Sequence, residues 1–121
     1  MRASERVHEY SIVASLIDRV QREADAYEGA RVHKLHVKIG ELAGVELDLL
    51  KTAFDTFRER TICDGAELLI QTVAPIWACP SCSRTVERGA ILRCETCSRP
   101  ARMTQGDEII LERIEMEAPN V

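Results

Sequence analysis

A chain of 121 residues, 45% hydrophobic and 30% charged, carries enough apolar material for one core. No apolar run approaches the roughly 20 residues that a membrane-spanning helix requires, so a spanning helix is excluded. The net charge of −4 is uneven: residues 76–105 hold Arg84, Arg88, Arg93, Arg99 and Arg102 against Glu87 and Glu95, a local +3 that leaves −7 on the remainder. That distribution argues against phosphate-backbone binding, because the acidic remainder repels nucleic acid.

The polar start Met1–Arg6 leads straight into a helical pattern with no signal peptide, from which a cytoplasmic location is expected. Val13, Leu16, Ile17, Val20, Ala24 and Tyr27 recur at helical spacing and predict a helix over about 9–27, stopped by Gly29. Leu35, Val37 and Ile39 alternate with Lys34, His36 and Lys38, predicting a half-buried strand over 31–39. A turn-rich Gly40–Gly44 follows. A second helix is predicted over about 47–60, where Leu50, Ala53, Phe54 and Phe57 share a face. Ala66 to Val73 reads as a strand after the Asp64-Gly65 turn, and Glu108 to Met116 as the last one.

Between those two strands lie Cys79-Pro-Ser-Cys82 and Cys94-Glu-Thr-Cys97. Two dithiol turns brought together by a short hairpin supply the four thiolates of a tetrahedral site. A four-cysteine Zn²⁺ centre of this kind is closed and structural, since no coordination position stays open for a substrate. Iron in a rubredoxin-like site is the alternative ion. Disulfides fit poorly with a reducing cytoplasm. The expected architecture is α+β: two helices packed on a three-stranded sheet, with an inserted four-cysteine zinc ribbon. Residues 1–75 and 106–121 form the α+β domain and residues 76–105 the zinc-ribbon domain.

Several stretches, taken together, resemble the HypA/HybF hydrogenase maturation proteins from Val7 to about Glu117. They are His8-Glu-Tyr-Ser-Ile12, Ile39-Gly-Glu-Leu-Ala-Gly-Val-Glu46, Ala53-Phe-Asp-Thr-Phe57, Asp64-Gly-Ala66, the two Cys-x-x-Cys pairs and Gly106-Asp-Glu-Ile-Ile-Leu111. The resemblance implies a nickel metallochaperone that delivers Ni²⁺ to the large subunit of [NiFe] hydrogenase. It implies a HypB-type GTPase as partner, and a separate structural Zn²⁺ on Cys79, Cys82, Cys94 and Cys97. The family's nickel site is a Met-His-Glu start, which maps onto His8 and Glu9 and makes the α+β domain the nickel-binding one. Nitrogen and oxygen ligands suit Ni²⁺, its transient cargo: an α-amine, a backbone amide, an imidazole and a carboxylate. This chain departs from the family there, because six residues precede Val7 and His8 is not residue two. Either residues 1–6 are a genuine extension that alters nickel binding, or Val7 is the true start, a GTG codon there being translated as Met at initiation. The Val7-His8-Glu9 motif favours the second.

Other residues read as structural. Glu46 suits the N-terminus of the second helix, and Glu41 sits in a turn. His33 and His36, at i and i+3 on a strand, are expected on opposite faces. Cys63 is expected to be a free thiol. A rival reading is a zinc-ribbon module binding nucleic acid or a transcription partner through the ribbon arginines. No nucleophile with its base is evident, so an enzyme is not expected.

Overall fold

The computed structural model describes residues 3–87 and 91–118, with side chains from Glu9 onward. Its elements in chain order are α1 (Ala3–Ala24), β1 (Arg31–Gly40), α2 (Leu47–Phe57), β2 (Glu67–Val73), β3 (Ile76–Ala78), β4 (Thr85–Val86), β5 (Arg102–Gln105) and β6 (Ile109–Glu117). They make two helices and two three-stranded sheets, in the orders β2-β1-β6 and β4-β3-β5. The chain divides into two compact units: Met1–Val37 with Val45–Gln71 and Ile110–Val121, and Lys38–Gly44 with Thr72–Ile109.

In the first unit, α1 buries Val13, Leu16, Val20 and Ala24, the stripe its period sets out. α2 buries Leu50, Ala53 and Phe54 against it, and β1 contributes Val32, Leu35 and Val37. α1 ends three residues before the expected Tyr27, which is half exposed, and Gly29 adopts φ 75° in the turn beyond. α2 stops at Phe57 rather than Arg60. The Arg58 amide caps the helix by donating to the Phe54 carbonyl, and Arg60 takes a left-handed φ of 62°.

β2 and β6, the strands that flank the ribbon in sequence, both pair with β1 rather than with each other. The most deeply buried strand takes the centre, where both of its edges are hydrogen-bonded. β6, with Glu112, Arg113, Glu115 and Glu117, has the charges that suit an edge.

In the second unit, β3 lies between β4 and β5, with Trp77 opposite Val86 and Met103. A chain crossing brings Gly40 against Gly106. The Gly40 amide donates to the Glu108 carbonyl (2.8 Å) and the Leu42 amide to the Gly106 carbonyl (2.8 Å). A Cβ on Gly40 would lie 2.1 Å from the Gly106 carbonyl group, so only glycine fits this crossing.

Candidate metal centres

Two turns of the second unit share one construction. The Ser83 amide donates to the Cys79 carbonyl and the Cys79 amide to the Arg84 carbonyl, both at 2.9 Å. Fifteen residues on, Ser98 donates to Cys94 and Cys94 to Arg99, again at 2.9 Å. Ser83 and Ser98 close these knuckles in the left-handed region, at φ 63° and 55°. The amides of Ser81 and Cys97 point at the Cys79 and Cys94 sulfurs, each at 3.4 Å.

This backbone gathers Cys79, Cys82, Cys94 and Cys97, whose sulfurs all lie within 4.8 Å of one another. Cys82 and Cys94 are 3.7 Å apart, and all four cysteines are free. A regular Zn–thiolate tetrahedron with bonds of about 2.3 Å has S···S edges of about 3.8 Å, so the donor set and its spacing fit that ion. The electrostatics agree. Hydrogen bonding from the Cys82 and Ser81 amides pulls the Cys79 thiol down to about 6. The neighbouring Cys82 and Cys79 sulfurs push Cys97 up to about 12. Four such thiols cannot all ionise together unless a cation balances them.

The similarity of the turns extends beyond the cysteines to a six-residue repeat, Cys-x-(Ser/Thr)-Cys-Ser-Arg, at 79–84 and 94–99. Arg84 Nη1 donates to Thr96 Oγ1 at 2.9 Å, and Arg99 Nη1 donates to Ser81 Oγ at 3.2 Å. Each knuckle thus reaches the hydroxyl between the other's two cysteines. Spacing of the cysteines alone does not reveal these contacts; comparison of the flanking residues would have.

In the first unit, His8 lies in α1 and its side chain is outside the described residues. Glu9, one residue on, is only 1% exposed, the sole buried charged side chain among the described residues. Its Oε2 accepts the Glu46 amide at 2.9 Å, while Oε1 is buried without a donor among the described residues. Glu46 is the N-cap of α2, where its carbonyl accepts the first helical hydrogen bond from Leu50 (2.9 Å), and its side chain makes no capping bond. Glu46 therefore meets Glu9 through its backbone, not through its carboxylate. Tyr10 and Phe57 stack edge-on with centroids 5.0 Å apart, joining the same two helices.

His33 and His36 are not segregated to opposite faces as the strand period suggested. Val32 and Leu35 are buried with two exposed residues between them, so the alternation breaks there. His33 Nε2 contacts Glu117 at 3.1 Å and His36 Nε2 contacts Glu115, carboxylates two residues apart that share one side of β6. Arg113 Nη2 lies 3.1 Å from both His36 Nε2 and Glu115 Oε2. These groups form no metal-sized cluster, the four cysteines being the one such cluster among the described residues. Cys63 is fully buried, and burial pushes its thiol up to about 11, as suits an inert structural cysteine.

Residues 7–116 match the family described as hydrogenase/urease nickel incorporation, metallochaperone, HypA. A hydrogenase maturation factor HypA of Shewanella baltica strain OS185 is 39% identical over 113 residues, covering 92% of this chain and 97% of that one. The Wolinella succinogenes HypA is 35% identical over 118 residues, 93% and 97% of the two chains. A solution structure of a HypA protein superposes with TM-score 0.79 at 34% identity, covering 93% and 98%. That of the nickel metallochaperone HypA from Helicobacter pylori gives 0.71 at 33%, covering 91% and 97%. These matches lend no support to a nucleic-acid or transcription module.

Proposed function

Since the chain belongs to the HypA family of nickel-incorporation metallochaperones, we propose that it takes up Ni²⁺ at His8 and Glu9 and releases it to the large subunit of a [NiFe] hydrogenase. On this reading a HypB-type GTPase is its working partner, the compartment is the cytoplasm, and the protein is a carrier rather than an enzyme. The four cysteines hold a structural Zn²⁺ in a zinc-ribbon domain of residues 76–105. Residues 1–75 and 106–121 form the nickel-binding domain. Ligand chemistry separates the two metals. Soft thiolates in a closed cage retain zinc, whereas imidazole and carboxylate in the early turns of α1 suit Ni²⁺ and can be exchanged one at a time.

The observation that carries this reading is the Glu9 carboxylate. One oxygen is fixed by the Glu46 amide and the other is buried without a donor among the described residues, one residue from His8. A buried acceptor in that condition is costly unless a cation or a ligand N–H faces it.

The helical backbone bears on how the site is assembled. α1 begins at Ala3, so the His8 amide falls within the helix and is directed to the Ser4 carbonyl. A chain starting at position 7 frees that amide and places an α-amine beside His8, which completes the chelate. The test is a Ni²⁺ titration of three zinc-loaded proteins: the full chain, a chain beginning at position 7 with Val7→Met, and the latter with His8→Ala. We expect one tightly bound Ni²⁺ in the second and its loss in the third. Equal, weak binding by the second and third would remove the nickel role from His8.

A further inference from the structure

The repeat at 79–84 and 94–99 does more than present cysteines. Ser81 sits between the ligands Cys79 and Cys82, and Thr96 sits between Cys94 and Cys97. Fixing either hydroxyl therefore fixes both sulfurs of its knuckle. The group that fixes it comes from the opposite knuckle: Arg99 for Ser81 and Arg84 for Thr96. The two contacts are reciprocal, so neither knuckle can turn away without breaking both.

At their bases the knuckles are joined by the small sheet, where Ala78 of β3 lies opposite Arg102 of β5. The segment between Cys82 and Cys94 is largely polar, and Ile91 within it is 84% exposed. A guanidinium is a suitable tie, because it stays charged, offers several donors in a fixed plane, and brings positive charge beside a centre that becomes dianionic when four thiolates bind a divalent ion.

We propose that Arg84 and Arg99 are positioning residues for the metal site, forming with Thr96 and Ser81 a reciprocal clasp that holds the knuckles face to face and slows release of the ion. This rests on the four cysteines binding a divalent metal, which the experiment tests separately.

The test uses the full chain loaded with Zn²⁺ and follows metal transfer to a chromophoric chelator. In parallel, Co²⁺-loaded protein reports the sulfur ligand set through its visible bands. Removing the hydroxyls (Ser81→Ala with Thr96→Ala) or the forks (Arg84→Gln with Arg99→Gln) should each speed zinc release about tenfold while the Co²⁺ bands stay in place. Combining both pairs should add little, because the second pair acts on contacts already lost. The exchange Ser81→Thr with Thr96→Ser keeps both hydroxyls and should release zinc at the parental rate.

Release by both truncated pairs within about twofold of the parent, or fully additive effects, would overturn the clasp while leaving the metal site standing. Release by the hydroxyl-exchanged protein as fast as by the alanine pair would do the same. A parent chain without tetrahedral thiolate bands would overturn the metal site and the clasp together. Should a pair prevent folding, seen as loss of the helical circular dichroism, the single variants decide on the same criteria.

Discussion

Replacing Glu9 in two ways separates its work in the fold from its work on nickel. Glu9→Ala strips the acceptor from the Glu46 amide at the N-cap of α2 and leaves a void between the helices. A partly buried N–H left without its acceptor, together with the lost volume, costs about 2–4 kcal/mol, out of a total stability of roughly 5–15 kcal/mol. That corresponds to a fall in Tm of about 10 °C for a domain of this size. Glu9→Gln is different. Its carbonyl can still accept the Glu46 amide, and its NH2 takes the place of the oxygen that has no donor among the described residues. Stability should then stay within about 1 kcal/mol of the parent, since the hydrogen bond survives and a buried charge is removed. Nickel affinity should nonetheless fall about 10–100-fold, the usual cost of losing a group that supports a metal site. Thermal and urea unfolding by circular dichroism, with calorimetric Ni²⁺ titration of the chain begun at position 7, measure both quantities. If Glu9→Gln destabilises as much as Glu9→Ala, the account of the hydrogen bond is wrong. If it leaves nickel affinity unchanged, Glu9 is a structural latch only.

Three further outcomes are expected. Ser83→Gly and Ser98→Gly relieve left-handed backbone at the two knuckles and should each stabilise the ribbon by about 1 kcal/mol, read as higher resistance of the zinc-loaded protein to urea. Gly40→Ala drives a Cβ into the Gly106 carbonyl and should cost about 3 kcal/mol or more, with loss of dispersed amide NMR signals from 38–44 and 104–108. Glu115 is held below the ordinary carboxylate range, first by its hydrogen bond with His36 and then by Arg113. A depressed folded-state pKa contributes stability above the unfolded value of about 4.3 and loses it as pH falls through the folded value. Below about pH 5 the melting temperature of the parent should therefore fall more steeply than that of Glu115→Gln.

The helices were legible because burial on one face imposes its own period. Val13, Leu16 and Val20 in α1, and Leu50, Ala53 and Phe54 in α2, are buried as their spacing requires. Helix ends were less legible, since Tyr27 and Phe57 continue the apolar pattern onto partly exposed surface where local capping decides the stop. The clustering of the four cysteines was legible because two Cys-x-x-Cys turns joined by a short hairpin bring their sulfurs together. His33 and His36 were misplaced because a strand period assumes unbroken alternation, and β1 breaks it between Val32 and Leu35.

By itself the sequence determined the two helices, the strands β1, β2 and β6, the apolar stripes and the paired knuckles, all of which depend on contacts within a few residues, whereas β3, β4 and β5, at two to four residues each, are too short to show a period. It also carried the motif order that the family comparison supports. The tertiary structure alone decided which strand is central, and that the Glu46 amide rather than its carboxylate meets Glu9. It alone crossed Arg84 to Thr96 and Arg99 to Ser81. These partners lie 12 to 37 residues apart, a separation at which no local period reports and only packing in three dimensions selects the contact.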